Sequence, residues 1–117
     1  MRLNEITYTD AKPVEGYGPG FFRIGGAVHH GATLVLPSGI TAWGGFDDTE
    51  KLIAAAPSID VLFVGMGAEI APVPAAFRTA LEDAGPGVEV MASPTACRTY
   101  NVLLSEGRRV GLALLPV

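Results

Sequence analysis

The sequence predicts an α/β fold: an antiparallel β-rich half over about residues 1–45, then a β-α-β-α-β half over about residues 59–117. Three observations predict it. Up to Trp43, short β-branched or aromatic runs are separated by glycine-rich turns, the pattern of hairpins. From Phe46 onward the apolar spacing lengthens to that of helices. Between the first two helical stretches, Ile59 to Met66 is an almost unbroken apolar run, as in a strand covered on both faces. The 117 residues suffice for one core and not for two, so residues 1–117 are read as a single domain.

Met1 to Val14 is polar with scattered apolar residues and reads as a short edge strand or an arm. Gly16-Tyr17-Gly18-Pro19-Gly20 reads as a turn, because glycine admits positive φ and proline fixes its own. Phe21 to Ile24 is a strand, Gly25-Gly26 a hairpin turn, and Ala27 to Gly31 the returning strand. Thr33 to Leu36 is the next strand; Pro37-Ser38-Gly39 turns it, and Ile40 to Trp43 returns. The first helix is expected over Phe46 to Ala56, with Asp47 or Asp48 as the N-terminal cap and Leu52, Ile53 and Ala56 as its apolar stripe. Pro57-Ser58 ends it, and Ile59 to Met66 is the expected central strand.

Pro72-Val73-Pro74 opens the second helix, where Phe77, Ala80, Leu81 and Ala84 recur at helical spacing. Gly85-Pro86-Gly87 stops it, and Val88 to Met91 is a strand. Ser93 then reads as the cap and Pro94 as the first residue of a third helix running to about Glu106. Gly107 is its C-terminal glycine, with Arg108 and Arg109 complementing the negative helix end. Val110 to Leu115 is the final buried strand. The short connection at Gly107 to Arg109 allows it to run parallel or antiparallel to its neighbours.

Composition excludes several function classes. Apolar residues make up 49% and charged residues 17%, which argues against disorder. A chain this apolar can cover part of its surface with a second copy or another protein, so a homo-oligomer is one open expectation. The net charge of −4 argues against a nucleic-acid partner, since phosphate binding needs a basic surface. The longest apolar run is too short to span a bilayer, so no stable membrane insertion is expected. One cysteine makes no internal disulfide, and the first residues lack the apolar core of a signal peptide. These point to a soluble, cytoplasmic protein.

Cys97 is expected in the first turn of the third helix, where the helix's positive end and Arg98 favour a thiolate. Two readings fit it: a nucleophile, redox sensor or anion ligand, or a small core residue, where free cysteine usually sits. His29 and His30 are the only bases of their type, and adjacent residues on a strand point to opposite faces, which disfavours a shared metal ion. Gly65-Met66-Gly67 after a buried strand is the kind of turn that binds phosphate, but Ile70 stands where a dinucleotide fingerprint needs its third glycine. Trp43 reads as a core aromatic or a contact surface. No complete catalytic set is present, so no enzyme activity and no cofactor are expected.

The run from Met91 to Val110, with Cys97-Arg98-Thr99-Tyr100-Asn101 at its centre, resembles the DUF498 (Mth938-like) family of small proteins of unknown function. The resemblance extends through Gly18-Pro19-Gly20, Phe22-Arg23-Ile24, Leu36-Pro37, Trp43 and Gly65-Met66-Gly67. Mitochondrial relatives of that family include an assembly factor of respiratory complex I. The resemblance implies a three-layer α/β sandwich with a mixed central sheet plus an additional β layer. It implies no catalytic activity or cofactor, and protein partners such as assembly factors or membrane-complex subunits. The candidate ligand or interaction site is Gly65, Gly67, Cys97, Arg98, Tyr100 and Asn101. The expected function is a non-enzymatic interaction or assembly module. The alternative is a small-molecule or anion-binding protein, or a thiol enzyme, using a Cys97/Arg98 pocket.

Overall fold

Hairpins build the first half. The computed structural model describes residues 11–117, so most of the predicted N-terminal strand or arm lies outside the described residues. Strand β1 (Val14–Gly18) pairs antiparallel with β2 (Phe21–Ile24), which pairs antiparallel with β3 (Ala27–His30). Gly25 and Gly26 take φ of 60° and 81°, left-handed values that a two-residue hairpin turn requires. The turn expected over Gly16 to Gly20 is shorter than the sequence suggested. Gly16, Tyr17 and Gly18 belong to β1, with a bulge between Val14 and Gly16. Glycine suits such a bulge, and at Gly18 a Cβ would collide with the Phe21 ring. These glycines therefore serve a strand.

Strands β4 (Thr33–Leu36) and β5 (Gly39–Ala42) form the next hairpin. Helix α1 (Glu50–Ala55) is shorter than predicted and runs into a 3-10 turn at Ala56–Ser58. Neither aspartate caps it. The Asp48 carboxylate instead accepts the Gly44 N–H at 2.8 Å, and the Asp48 carbonyl accepts the Trp43 indole N–H at 3.0 Å. Asp48 closes a turn around Trp43, and the helix starts after it. Strand β6 (Val61–Met66), helix α2 (Ala75–Asp83), strand β7 (Gly87–Met91), helix α3 (Ser93–Ser105) and strand β8 (Val110–Leu115) follow.

The large sheet has the order β5-β4-β8-β6-β7. Strand β8 runs parallel to β6 and antiparallel to β4, so the sheet is mixed. The middle strand is β8, not β6 as the apolar run suggested. Both are apolar on both faces, and sequence does not rank two such strands.

One face of this sheet packs Leu34, Leu62 and Val64 against α1 and α2, through Leu52, Phe77 and Leu81. The other packs Val35, Phe63, Leu112 and Leu114 against α3 and against Phe22 and Ile24 of the small sheet. The architecture is therefore helices, mixed sheet and helix, with the three-stranded sheet as an additional β layer beside α3. Helix α3 ends at Gly107 with φ 81°, where the Gly107 and Arg108 N–H groups bond the Leu104 and Leu103 carbonyls. Arg109 does not complement that helix end. Its guanidinium bonds the Asp60 carboxylate at 2.6 Å and the Pro57 carbonyl at 3.2 Å, tying the start of β8 to the loop before β6.

Candidate functional site

Gly65 and Gly67 lie at the end of β6, where α/β folds usually hold ligands. Here the turn is filled by protein. A Cβ on Gly65 would come within 2.6 Å of the Ser93 Oγ and 2.8 Å of both the Ser93 Cα and the Leu114 side chain. The absent side chain lets the start of α3 sit directly on the strand. Gly67, at φ 95°, donates its N–H to the Ser93 Oγ at 2.9 Å, and its carbonyl accepts the Ser93 N–H at 2.8 Å. The Ser93 hydroxyl then donates to the Leu115 carbonyl at 2.6 Å. A phosphate would need the Gly67 amide that Ser93 already uses.

Ser93 is not the helix cap that the sequence suggests. It is the first helical residue, fully buried, and makes no capping bond. Its hydroxyl joins the ends of β6 and β8 instead. The signal that could have revealed this was the small residue at Gly65, which implies close approach by another backbone.

Cys97 sits one residue further into α3 than expected and is 3% exposed, among Val35, Phe63, Ala96 and Leu112. Burial pushes its thiol up to about 12, and the nearby Arg98 charge only partly offsets this. A thiol held protonated is a poor nucleophile. Arg98 points away to solvent, with a long contact of 3.4 Å to the Thr95 hydroxyl. The structure therefore does not bring the thiol and the guanidinium into one pocket.

Tyr100 and Asn101 reach across to the small sheet. The buried Tyr100 hydroxyl donates to the Lys12 carbonyl at 2.8 Å, and burial raises its pKa. The Asn101 side chain accepts the Val14 N–H and donates to the Val14 carbonyl, both at 2.8 Å. A side-chain amide thus copies a strand neighbour at the edge of β1. The block that carries the family resemblance fastens one sheet onto the helix that covers the other.

Trp43 is 5% exposed and packs with Phe46 at 5.4 Å and Phe77 at 6.0 Å, in the core beneath α2. His30 is exposed and His29 half-buried; among the described residues no three histidine, cysteine, aspartate or glutamate side chains are grouped to hold a metal. A cleft of about 630 Å³ opens at the other end of β6 and β8, lined by residues including Pro37, Ser38, Ser58, Leu104 and Arg108. A smaller one of about 240 Å³ adjoins it, sharing Pro37, Ser38 and Ser58 and adding Thr41 and Lys51. None of the six candidate residues lines either. Sequence reasoning missed this region, which is assembled from segments far apart along the chain.

The family described as "Protein of unknown function (DUF498/DUF598)" matches residues 14–115. The chain belongs to this family. It is 50% identical to an uncharacterised protein of Rhodobacter capsulatus, over 100% of this chain and 94% of that one. It is 36% identical to the NADH dehydrogenase [ubiquinone] 1 alpha subcomplex assembly factor 3 of Danio rerio, over 88% of this chain. The chain spans 63% of that relative's length. A crystal structure described as an outer membrane protein from Bartonella henselae is 32% identical, with a TM-score of 0.82, covering 89% of this chain and 93% of that one. A Bordetella pertussis protein described as a Mth938-like domain is 28% identical, with a TM-score of 0.74, covering 99% of this chain and 92% of that one. The family is thus one of unknown function, related to complex I assembly factors, and its fold is Mth938-like. Among the described residues no helix is long and apolar enough to cross a membrane.

Proposed function

We propose that the protein is a non-enzymatic, cytoplasmic interaction module that assists the assembly of a respiratory or other membrane complex by binding its subunits. One observation carries this reading: the similarity to assembly factor 3 runs over 88% of the chain. The side chains offered as a site favour it over a reaction. Gly67, Tyr100 and Asn101 spend their polar groups on internal hydrogen bonds, and the Cys97 thiol is buried. Of the six, Arg98 is the exposed one, and with Val102, 55% exposed on the same helix, it offers a surface for a protein partner.

The test is deletion of the gene in its native organism, with the tagged chain expressed in parallel. Expected are loss of mature NADH dehydrogenase on native gels, and recovery of identified subunits of that complex with the tag. Normal assembly in the deletion strain, with none of its subunits on the tag, would overturn the reading. Fractionation tests the location: recovery in the outer membrane, where the Bartonella neighbour's description puts that protein, excludes a cytoplasmic module.

A further inference from the structure

The two adjoining clefts make one groove across the start of β6 and β8, on the side away from the filled Gly65–Gly67 turn. Its walls are largely apolar, from Leu36, Pro37, Pro57 and Leu104, and its polar groups are hydroxyls and cations. Ser38 and Ser58 lie where the two clefts meet, with Lys51 lining the smaller cleft and Arg108 and Arg109 the larger. Among the described residues no aspartate or glutamate lines either cleft, although the chain has 12 acidic residues against 8 basic ones. Asp60 neutralises Arg109 by a direct ion pair, which leaves Lys51 and Arg108 as the charge facing the groove. The carbonyl end of α3, which would repel an anion, is closed by the Gly107 and Arg108 amides. The Thr41 Oγ1, at the wall of the smaller cleft, is buried with no hydrogen-bond partner.

We propose that this groove binds an extended, acidic and apolar peptide segment of a partner protein. This rests on the interaction reading above and names the surface and the chemistry that reading lacks. An apolar trough with a cation in each of its two clefts suits a chain that alternates leucine-like and glutamate side chains. Its apolar residues leave water against the proline walls while its carboxylates meet Lys51 and Arg108. The Ser38 and Ser58 hydroxyls bond the backbone between them. A nucleic acid fits less well, because two cations in an acidic chain do not make a phosphate track.

The probe is a fluorescein-labelled peptide of alternating glutamate and leucine, titrated with the full chain and followed by anisotropy. A lysine–leucine peptide is the comparison. Expected are saturable binding of the acidic peptide alone, weakening with added salt, and at least about a tenfold loss in each of Lys51→Glu and Arg108→Glu. Both side chains are exposed, so both variants should keep the wild-type melting temperature. Arg23→Glu, which makes the same charge change at an exposed position on β2, should bind as the wild type does. No binding, equal binding of the basic peptide, equal loss in Arg23→Glu, or full binding by the two groove variants each overturns the proposal. The two readings fail separately. If tagged Arg108→Glu recovers the same complex subunits as the wild type, the groove proposal falls and the assembly role stands. If the wild type recovers none, the assembly role falls.

Discussion

The Ser93 hydroxyl accepts from Gly67 and donates to Leu115, so one buried oxygen holds two strand ends and the start of a helix together. Ser93→Ala leaves the buried Gly67 N–H and the part-buried Leu115 carbonyl without that partner, at about 1–3 kcal/mol for a buried group left unsatisfied. Urea unfolding should show a lower midpoint with an unchanged m-value; an unchanged midpoint means water satisfies both groups as well as serine does. Cys97 gives a second prediction, in pH. Its thiol is raised from an ordinary 9.0 to about 12, so between those values the unfolded chain releases a proton that the folded chain keeps. Stability is therefore full below pH 9 and falls as pH rises toward 12, by up to about 1.4 kcal/mol per pH unit from this group alone. Tyr100, also raised by burial, adds in the same direction at higher pH. Melting temperatures measured upward from pH 9 should drop less in Cys97→Ala than in the wild type, and iodoacetamide should label Cys97 only when the chain unfolds. Rapid labelling of the folded protein would contradict both. The lone cysteine was plain in the sequence, and so was the helix around it. Its burial was one of the two readings the sequence left open; choosing between them turned on one position along the helix, and boundaries are the least readable feature of a helix.

Tyr100 and Asn101 act between elements, joining α3 to the edge of the small sheet through Lys12 and Val14. Asn101→Asp keeps the acceptor for the Val14 N–H but places a carboxylate oxygen against the Val14 carbonyl, replacing attraction with repulsion. A loss of about 1–3 kcal/mol is expected. Amide exchange in β1 and β2 should quicken well before exchange in β6 and β8, since the packing of the large sheet on α1 and α2 involves no residue of the small sheet. A uniform rise in exchange across both sheets would show that the small sheet has no separate opening. Strands of β-branched and aromatic residues were legible here because each carries its own pattern: Phe21 to Ile24, Thr33 to Leu36 and Val110 to Leu115 stand close to where they were expected. Two local signals misled. Gly16 and Gly18 resemble turn residues but accommodate a bulge and the Phe21 ring, and Asp48 resembles a cap but closes the turn around Trp43. In each case a neighbour within five positions decided the conformation, by a contact that residue type alone does not announce. The candidate site had a different limit, since the bonds from Asn101 to Val14 span 87 positions.

The order of the large sheet places the last strand in its middle. Strand β8 joins the β4–β5 hairpin to the β6–β7 pair within the sheet, through antiparallel bonds on one edge and parallel bonds on the other. Leu112, Ala113 and Leu114 are each 0% exposed, and both cores draw on them. Pairings such as Thr33 with Leu114 join the two halves of the chain at long range, and loop closure of that length must precede any gain from burial. A chain ending at Arg109 therefore keeps every helix and seven of the eight strands of the described residues, yet loses the element that joins them. It should show a collapsed state: helical far-ultraviolet circular dichroism, poor dispersion in proton–nitrogen spectra and strong binding of a hydrophobic dye. A synthetic peptide of residues 110–117 added to it should restore dispersion in proportion to its concentration, because the slot between β4 and β6 presents unpaired edges on both sides. Dispersed, native-like spectra from the truncated chain alone would mean that β4 and β6 find each other without β8, and the sheet would then be two separable units and not one cooperative layer.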